Sequence, residues 1–368
     1  MIQWRRGIVQ SVVDQWVGAE VAIVDLDDGG SVRALNYPQL TGPVATGAHV
    51  LMNSSALDRG LGTGGFAFIV ANLESDAPPA PTSGHLVKAR YTPMQSMVLS
   101  VDEQGSEHHA ALRDADTVAG LPVVVADLHS SVPAILAGIR ARFTAIHGRA
   151  PRVVYIMTDG GALPAWFSRT ISGLRLAGWL QASITCGQAF GGDYESVTLH
   201  TALLAARIVV EADVAVVAQG PGNLGTDTRW GFSGVSAGDA LNAVAALRGR
   251  GVGVLRMSQA DSRWRHLGVS HHSVTAYGRV ALAAADLVLP PEPRPRPAWW
   301  AECVSERVAE ILAGCAGHRL HLRSDGDLVE ILRSVPVPLS TMGRGLVEDE
   351  LAFTAAAAAG CHAAELTA

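Results

Sequence analysis

Six near-continuously apolar runs, recurring roughly every 30 to 40 residues from Leu121 onward, constrain the fold of this 368-residue chain more than any other feature. They read LPVVVA at Leu121, RVVYIMT at Arg152, ASITC at Ala182, DVAVVA at Asp213, VGVLRM at Val252 and DLVLP at Asp286. A strand that is apolar on consecutive rather than alternate residues is buried on both faces. Between the runs lie stretches of helical pattern: SVPAILAGIRARFTAIHG, LPAWFSRTISGLRLAG, YESVTLHTALLAARIVVE, AGDALNAVAALRGR and HSVTAYGRVALAAA. The alternation predicts βαβ units with right-handed crossovers. The expected fold is α/β, a doubly wound, mostly parallel, Rossmann-like sheet preceded by a small β-barrel-like domain.

That first domain is expected over residues 1–73. Its runs GIVQSVV, AEVAIVDL, SVRALNY, HVLMNSS and FAFIVANL are short and separated by glycine-rich turns, the pattern of a small barrel. ESDAPPAPTSG, residues 74–84, is rich in proline and small residues and reads as a linker. The α/β domain is expected over 85–368, with the last 70 or so residues completing it, including a strand at HRLHLR and an alanine-rich terminal helix whose Thr354 to Ala359 carry no chemistry beyond helix propensity.

Composition removes several function classes. A net charge of −6 with 17% charged residues gives no basic footprint for nucleic acid or an anionic membrane. The N-terminus lacks an uninterrupted apolar core of signal-peptide type, and no apolar stretch is long enough to span a bilayer, so a cytoplasmic setting is expected. The four cysteines form no CxxC pair, which disfavours a zinc knuckle or a disulfide framework. The high alanine and glycine content suits close-packed layers and a possible homo-oligomer.

The polar loop after each strand is where function is expected to reside. The carboxyl ends of parallel strands share one edge, where ligands bind near a reversal of strand order. Five such loops are expected there: DLHSS with His129, DGGALP with Asp159, CGQAFGGDYES with Asp193, QGPGNLGTDTRWGFSG, and SQADSRWRHLGVSHHS. In the fourth, Gly220, Gly222, Asn223, Gly225 and Thr226 are candidate anion ligands through exposed backbone amides. In the fifth, Asp261, Arg263 and Arg265 are candidate ligand groups, with the arginines as a charge clamp. His129, His271 and His272 are candidate acid–base groups, partnered by Asp159 or Asp193. Turn formation and helix capping are the competing explanation for the aspartates and glycines.

Cofactor use is open. His271, His272 or His266 with Asp193, Asp159 or His129 can be read as ligands of a divalent metal, although no HExxH or HxD spelling accompanies them. GPGNLG has the GxGxxG spelling, yet any helix is delayed to about Ser236 and the next strand ends in Arg256 and Met257 without an acidic residue. NAD is therefore not supported, and without GxxxxGK[ST] neither is P-loop ATP. Cys186, at a strand end, is either a nucleophile or an inert buried thiol.

Taken together, GPGNLGTDTRWGFSG, RMSQADSRWRHLGVSHHS, DLHSS, YIMTDGGALP, AFGGDYESVTLHTAL and LTGPVATGAHVLMNSSALDRGLGTGGFAFIVANL resemble an uncharacterised bacterial family known only as a domain of unknown function. The resemblance implies the two-part organisation and supplies no activity. From Ala182 to Gly225 the chain is also similar to the substrate-activating subunits of glycine, betaine and proline reductases, with CGQA and QGPG where those carry CGDN-like and AGP-like turns. The expectation is an enzyme, a hydrolase, transferase or isomerase, acting on a small anionic metabolite. The alternative is a metabolite sensor or scaffold using the same pocket.

Overall fold

The structure is a computed structural model, and it describes residues 2–74, 84–315, 317–323 and 327–368. The chain divides into two compact units, Met1–Val98 with Trp166–Ser172, and Leu99–Ala165 with Gly173–Ala368. Residues 75–83 of the expected linker lie outside the described residues.

In the first unit, β1 (Trp4–Trp16), β2 (Ala19–Leu26), β3 (Ser31–Asn36), β4 (His49–Asn53) and β5 (Ala67–Asn72) close a barrel in the order β1-β2-β3-β5-β4. All five expected strands are present. The 13-residue β1 spans two neighbours because register shifts at Val9/Ser11 and Val12/Asp14 bend it. Inward residues such as Val9, Val24, Val50 and Met52 fill the interior. A short helix, α1 (Pro38–Thr41), follows β3, and a hairpin of β6 (Leu86–Lys88) and β7 (Ser96–Val98) completes the unit. Glu20, buried on β2, uses Oε1 to accept from Asn36 Nδ2 and from the backbone of Val44, both at 2.8 Å.

The second unit is built on an eight-stranded sheet. In chain order its elements are α2 (His109–Leu112), β8 (Pro122–Ala126), α3 (Val132–His147), β9 (Val153–Thr158), α4 (Arg169–Leu176), β10 (Ala182–Thr185), β11 (Tyr194–Glu195), α5 (Leu199–Ile208), β12 (Val214–Gln219), α6 (Ser236–Ala246) and β13 (Arg250–Gly253). A two-residue ribbon of β14 (Met257–Ser258) and β15 (Gly268–Val269) follows, then α7 (His271–Thr275), β16 (Asp286–Leu289), α8 (Arg307–Gly314), β17 (Arg319–Leu322), α9 (Leu328–Arg333) and α10 (Glu350–Glu365). The strand order is β11-β10-β9-β12-β8-β13-β16-β17, every pair parallel. Every residue of β8 and β12 is buried, as their unbroken apolar runs require.

Three segments depart from the pattern predicted for them, the first being YESVTLHTALLAARIVVE, whose Tyr194 and Glu195 form β11 ahead of α5. The run HSVTAYGRVALAAA is helical only through Thr275, continues as a π turn to Val280 and then leaves helical geometry. Asn242 ends it: its Nδ2 donates to the Val280 carbonyl at 3.1 Å, and its Oδ1 accepts from the backbone of Leu282 at 2.7 Å and Ala283 at 3.2 Å. The alanine run of α10 is more than a propensity-driven tail. Ala355 to Ala359 are fully buried, and the helix packs along α3 and over β8 and β16. Small side chains allow this approach, since a Cβ on Gly360 would lie 2.1 Å from the Ile135 carbonyl and one on Gly138 2.1 Å from that of Ala357.

No helix among the described residues is long and apolar enough to cross a membrane. Substituting Gly360→Val forces α3 and α10 apart, with an expected cost of about 3 kcal/mol and a fall in Tm of roughly 6–12 °C. Gly161→Ala, where a new Cβ meets nothing within 4 Å, serves as the control. Thermal unfolding of the two variants checks this, and equal melting temperatures would contradict the packing.

Candidate functional site

The parallel ladder sets three strand ends level. Ala126 of β8 pairs with Ala218 of β12, and Val125 pairs with Gly253 of β13. Asp127, Gln219 and the Val254–Arg256 segment therefore leave the sheet side by side. From β8 the chain runs to α3, on the α10 side; from β12 and β13 it runs to α6 and α7, on the other. Loops that part in opposite directions open a crevice at the carboxyl edge.

Arg256 is the hub of that crevice. Its backbone is fixed by Ser273 Oγ, which accepts from its N–H at 2.9 Å, and by its carbonyl, which accepts from Ser270 N–H at 2.8 Å. Its guanidinium donates to His272 Nδ1 at 2.9 Å and reaches Asp127 Oδ2 at 3.5 Å. Asp127 is buried, which raises its pKa, and Arg256 opposes that shift. Gln219 Nε2 donates to the Asp127 carbonyl at 2.8 Å, while Gln219 Oε1 is enclosed without a partner.

Three histidines close together beside it. Ser270 caps α7, accepting from the His272 N–H at 3.2 Å, and the same hydroxyl bonds His266 Nδ1 at 2.8 Å. One capping residue thus ties the turn carrying His266 to the helix start carrying His271 and His272. Ring centroids are 4.4 Å apart for His271 and His272 and 5.0 Å from His266 to each. Phe232, at the end of the β12 loop, stacks on His272 at 3.7 Å with an interplanar angle of 4°. Burial, then Arg256, lowers the His266 pKa to about 3 and that of His272 to about 2. Burial and Arg265 lower His271 as well. All three imidazoles are neutral near pH 7.

Beside the histidines lies an open cleft of about 320 Å³, walled by Arg229, Arg265, Arg279 and Arg307 with Asp227, Glu310, His271 and Thr275. Arg265 pairs with Asp227 at 2.5 Å and Arg279 with Glu310 at 2.8 Å. Arg307 donates to the carbonyls of Leu267 and Val269, both at 2.8 Å, and so holds the His266 segment in place. Four guanidinium groups against two carboxylates leave two positive charges in excess.

The structure gathers only part of the expected residue set here. His271 and His272 are at the site, and Arg265 lines the cleft. His129 is buried beneath the edge, bonded to Tyr155 Oη at 3.0 Å and facing the Gln219 backbone, with its pKa lowered by burial to about 4. Asp159 accepts from the amides of Gly161, Ala162 and Gln188, the work of a turn residue. Asp193 lies near the amino end of β10, where Ser183 and Arg175 occupy its oxygens. Asp261 is gripped by Arg263 at 2.9 and 2.7 Å and reached by Arg344 at 3.5 Å, so the expected clamp neutralises itself; the guanidinium contact holds Asp261 well below the usual carboxylate range.

In the glycine loop the amides of Leu224 and Thr226 are spent internally, on Ser233 Oγ at 3.0 Å and the Gly231 carbonyl at 2.7 Å. Asn223 Oδ1 accepts from Ser233 Oγ at 3.0 Å, and Gly225 bridges Phe232. Gly222 takes φ +96°, and Gly220 leaves room for Leu163. Through the bonds of Leu224 and Thr226 the loop folds back as a hairpin that delivers Phe232. Cys186 is buried, with Sγ 3.7 Å from the Met157 carbonyl. Sequence reasoning passed over Asp127, Arg256 and Arg307. The first two stand at strand ends, which is the signal that was available; Arg307 comes from a distant helix.

The chain belongs to the family described as Protein of unknown function (DUF3866), whose model matches residues 33–360. No curated protein matches it.

The neutral histidines set a pH response. Unfolded, they titrate near about 6.5; folded, His129, His266 and His272 do so at about 4, 3 and 2. Between these values the unfolded chain binds more protons, so stability is present above about pH 6.5 and declines as pH falls below it. Tm is expected to be lower at pH 5 than at pH 7.5, with a shallower slope in His272→Gln. A Tm that is flat or higher at pH 5 would contradict the assignment.

Proposed function

We propose that this member of a family of unknown function binds a small anionic metabolite, phosphorylated or carboxylated, in the arginine-lined cleft beside its histidine cluster. The observation that carries the reading is the excess of two guanidinium charges in a concave site built by the loops after β12 and β14 with α7 and α8. Guanidinium groups donate paired, charge-assisted hydrogen bonds to planar oxyanions. The volume of about 320 Å³ suits a small ligand rather than a polymer. Arg265 has a further feature in favour, since its Nε is enclosed without a partner. A cytoplasmic setting fits, because all four cysteines are buried thiols.

Ligand binding is better supported than acid–base turnover by the groups first expected to perform it. Asp159 and Asp193 are occupied in their own loops, Asp261 is locked to Arg263, and His129 is bonded to Tyr155. A general base works best with a pKa near the operating pH, whereas burial and the neighbouring arginines lower His271 and bring His272 to about 2. Sensing of a bound anion is consequently the reading these placements favour over hydrolysis or isomerisation by a histidine–carboxylate pair.

Titration of the purified chain with inorganic phosphate and pyrophosphate by calorimetry tests this. Saturable binding is expected, weakening as ionic strength rises, and reduced about 10-fold or more by Arg265→Ala or Arg229→Ala. Unchanged affinity in the double variant would remove the cleft from consideration.

A further inference from the structure

We propose that His266, His271 and His272 form a site for one divalent transition metal of the zinc type, three histidines holding the ion and its fourth position opening on the arginine-lined cleft. One ring nitrogen from each histidine lies within 4.8 Å of the others. Zinc bonded to nitrogen at about 2.0–2.1 Å in a tetrahedron separates its ligand atoms by about 3.3 Å. The three rings therefore need to draw together by at most about 1.5 Å, within reach of small side-chain rotations.

His271 supplies the second observation. Its Nε2 is enclosed and has no hydrogen-bond partner. An enclosed imidazole nitrogen without a partner is costly, and coordination would satisfy it. The surroundings are those of ligand histidines, whose other nitrogen is normally oriented by an oxygen. Ser270 Oγ holds His266 Nδ1 at 2.8 Å, leaving Nε2 for the ion. Phe232 fixes the plane of His272.

At His272, Arg256 donates to Nδ1, which places the ring proton on Nε2. Taking up the ion at Nε2 moves that proton to Nδ1; the Arg256 N–H that now donates there must turn away to Asp127 Oδ2, already within its reach at 3.5 Å, and the ring must shift to bring Nδ1 from 3.9 Å to hydrogen-bond distance of the same carboxylate. Asp127 is thereby a positioning residue for the metal, and Arg256 remains its counter-charge. Three of the nearby guanidinium groups are paired, Arg256 with Asp127, Arg263 with Asp261 and Arg265 with Asp227, while Arg307 is held by backbone carbonyls.

An all-imidazole donor set selects zinc, cobalt or nickel over magnesium and calcium, which take oxygen ligands. A second group, Asp286 with His321 and His362, is different in kind. Asp286 is already bonded to Arg319 at 2.6 Å and to His362 at 2.8 Å, an ion-paired cluster rather than an open donor set.

The metal site and the anion cleft share His271 yet are separable by experiment. Metal-free protein is titrated with Co²⁺ and, in competition with a chromophoric chelator, with Zn²⁺. One equivalent is expected, with the visible absorption of four-coordinate cobalt. His266→Ala and His271→Ala should each weaken binding at least 100-fold, Asp127→Asn about 10- to 100-fold, and His49→Ala, an exposed histidine of the barrel, not at all. Melting curves of the metal-free variants confirm that they fold. Absence of stoichiometric binding to folded wild-type protein, or retention of full affinity in His266→Ala and His271→Ala, overturns the proposal. Phosphate affinity of metal-free protein reads the arginine cleft alone, so failure of one reading is distinguishable from failure of the other.

Discussion

The backbone ladder joining β12, β8 and β13 is the constraint on which the rest of the second unit depends. Parallel pairing at fixed register leaves no freedom in where the strands end, and Ala126, Ala218 and Gly253 emerge nearly level. The crossovers then separate, one to the α3 side and two to the other. A crevice bounded by three unrelated loops is a geometric result of that order, independent of which side chains the loops carry. Tyr155 and Tyr277 reinforce the ladder from within, their hydroxyls bonding the carbonyls of Gln219 and Val125 at 3.1 and 3.0 Å.

Electrostatics at the edge are set by how charges are shared out. Asp127, Asp227 and Asp261 are each matched to an arginine, so the carboxylates of this region spend themselves on holding guanidinium groups in position. What remains available is cationic charge on the cleft wall and neutral imidazole beside it. Neutrality of the histidines is a consequence of burial reinforced by those same arginines. A bound oxyanion would relieve the charge that now disfavours histidine protonation, so anion binding and protonation of these rings favour one another.

Much of this architecture was legible in the sequence, because strand burial on both faces imposes unbroken apolar runs that no surface element shares. The barrel strands and six strands of the sheet are readable from that pattern and from regular glycine-rich turns, whereas β11 opens a stretch of helical pattern and β17 is only partly buried. The site was legible in its location and less so in its membership. Asp159, Asp193 and Asp261 have the composition of functional groups, yet each is consumed by amides or an arginine within its own neighbourhood. Local hydrogen bonding of this kind leaves no periodic trace. Arg307 arrives from α8, some 40 positions from the carbonyls it holds, and only the folded chain brings it there. The alanines of α10 illustrate the same limit, since a run that reads as helix propensity is, in three dimensions, the close-packed partner of α3.

The glycine-rich loop after β12 changes meaning once its hydrogen bonds are traced. Its glycines would suit a phosphate cradle, but the amides that such a cradle would offer at Leu224 and Thr226 are bonded inside the loop. The loop instead folds back as a hairpin and places Phe232 flat against His272. Positioning an aromatic ring over an imidazole removes rotational freedom from the side chain that also meets Arg256. The loop from β12 therefore orders the histidine delivered by α7, and the strand end of β13 supplies its charged partner. Three chain segments that are remote in sequence determine the state of one ring, which ties the chemistry available at the edge to the integrity of the parallel sheet itself.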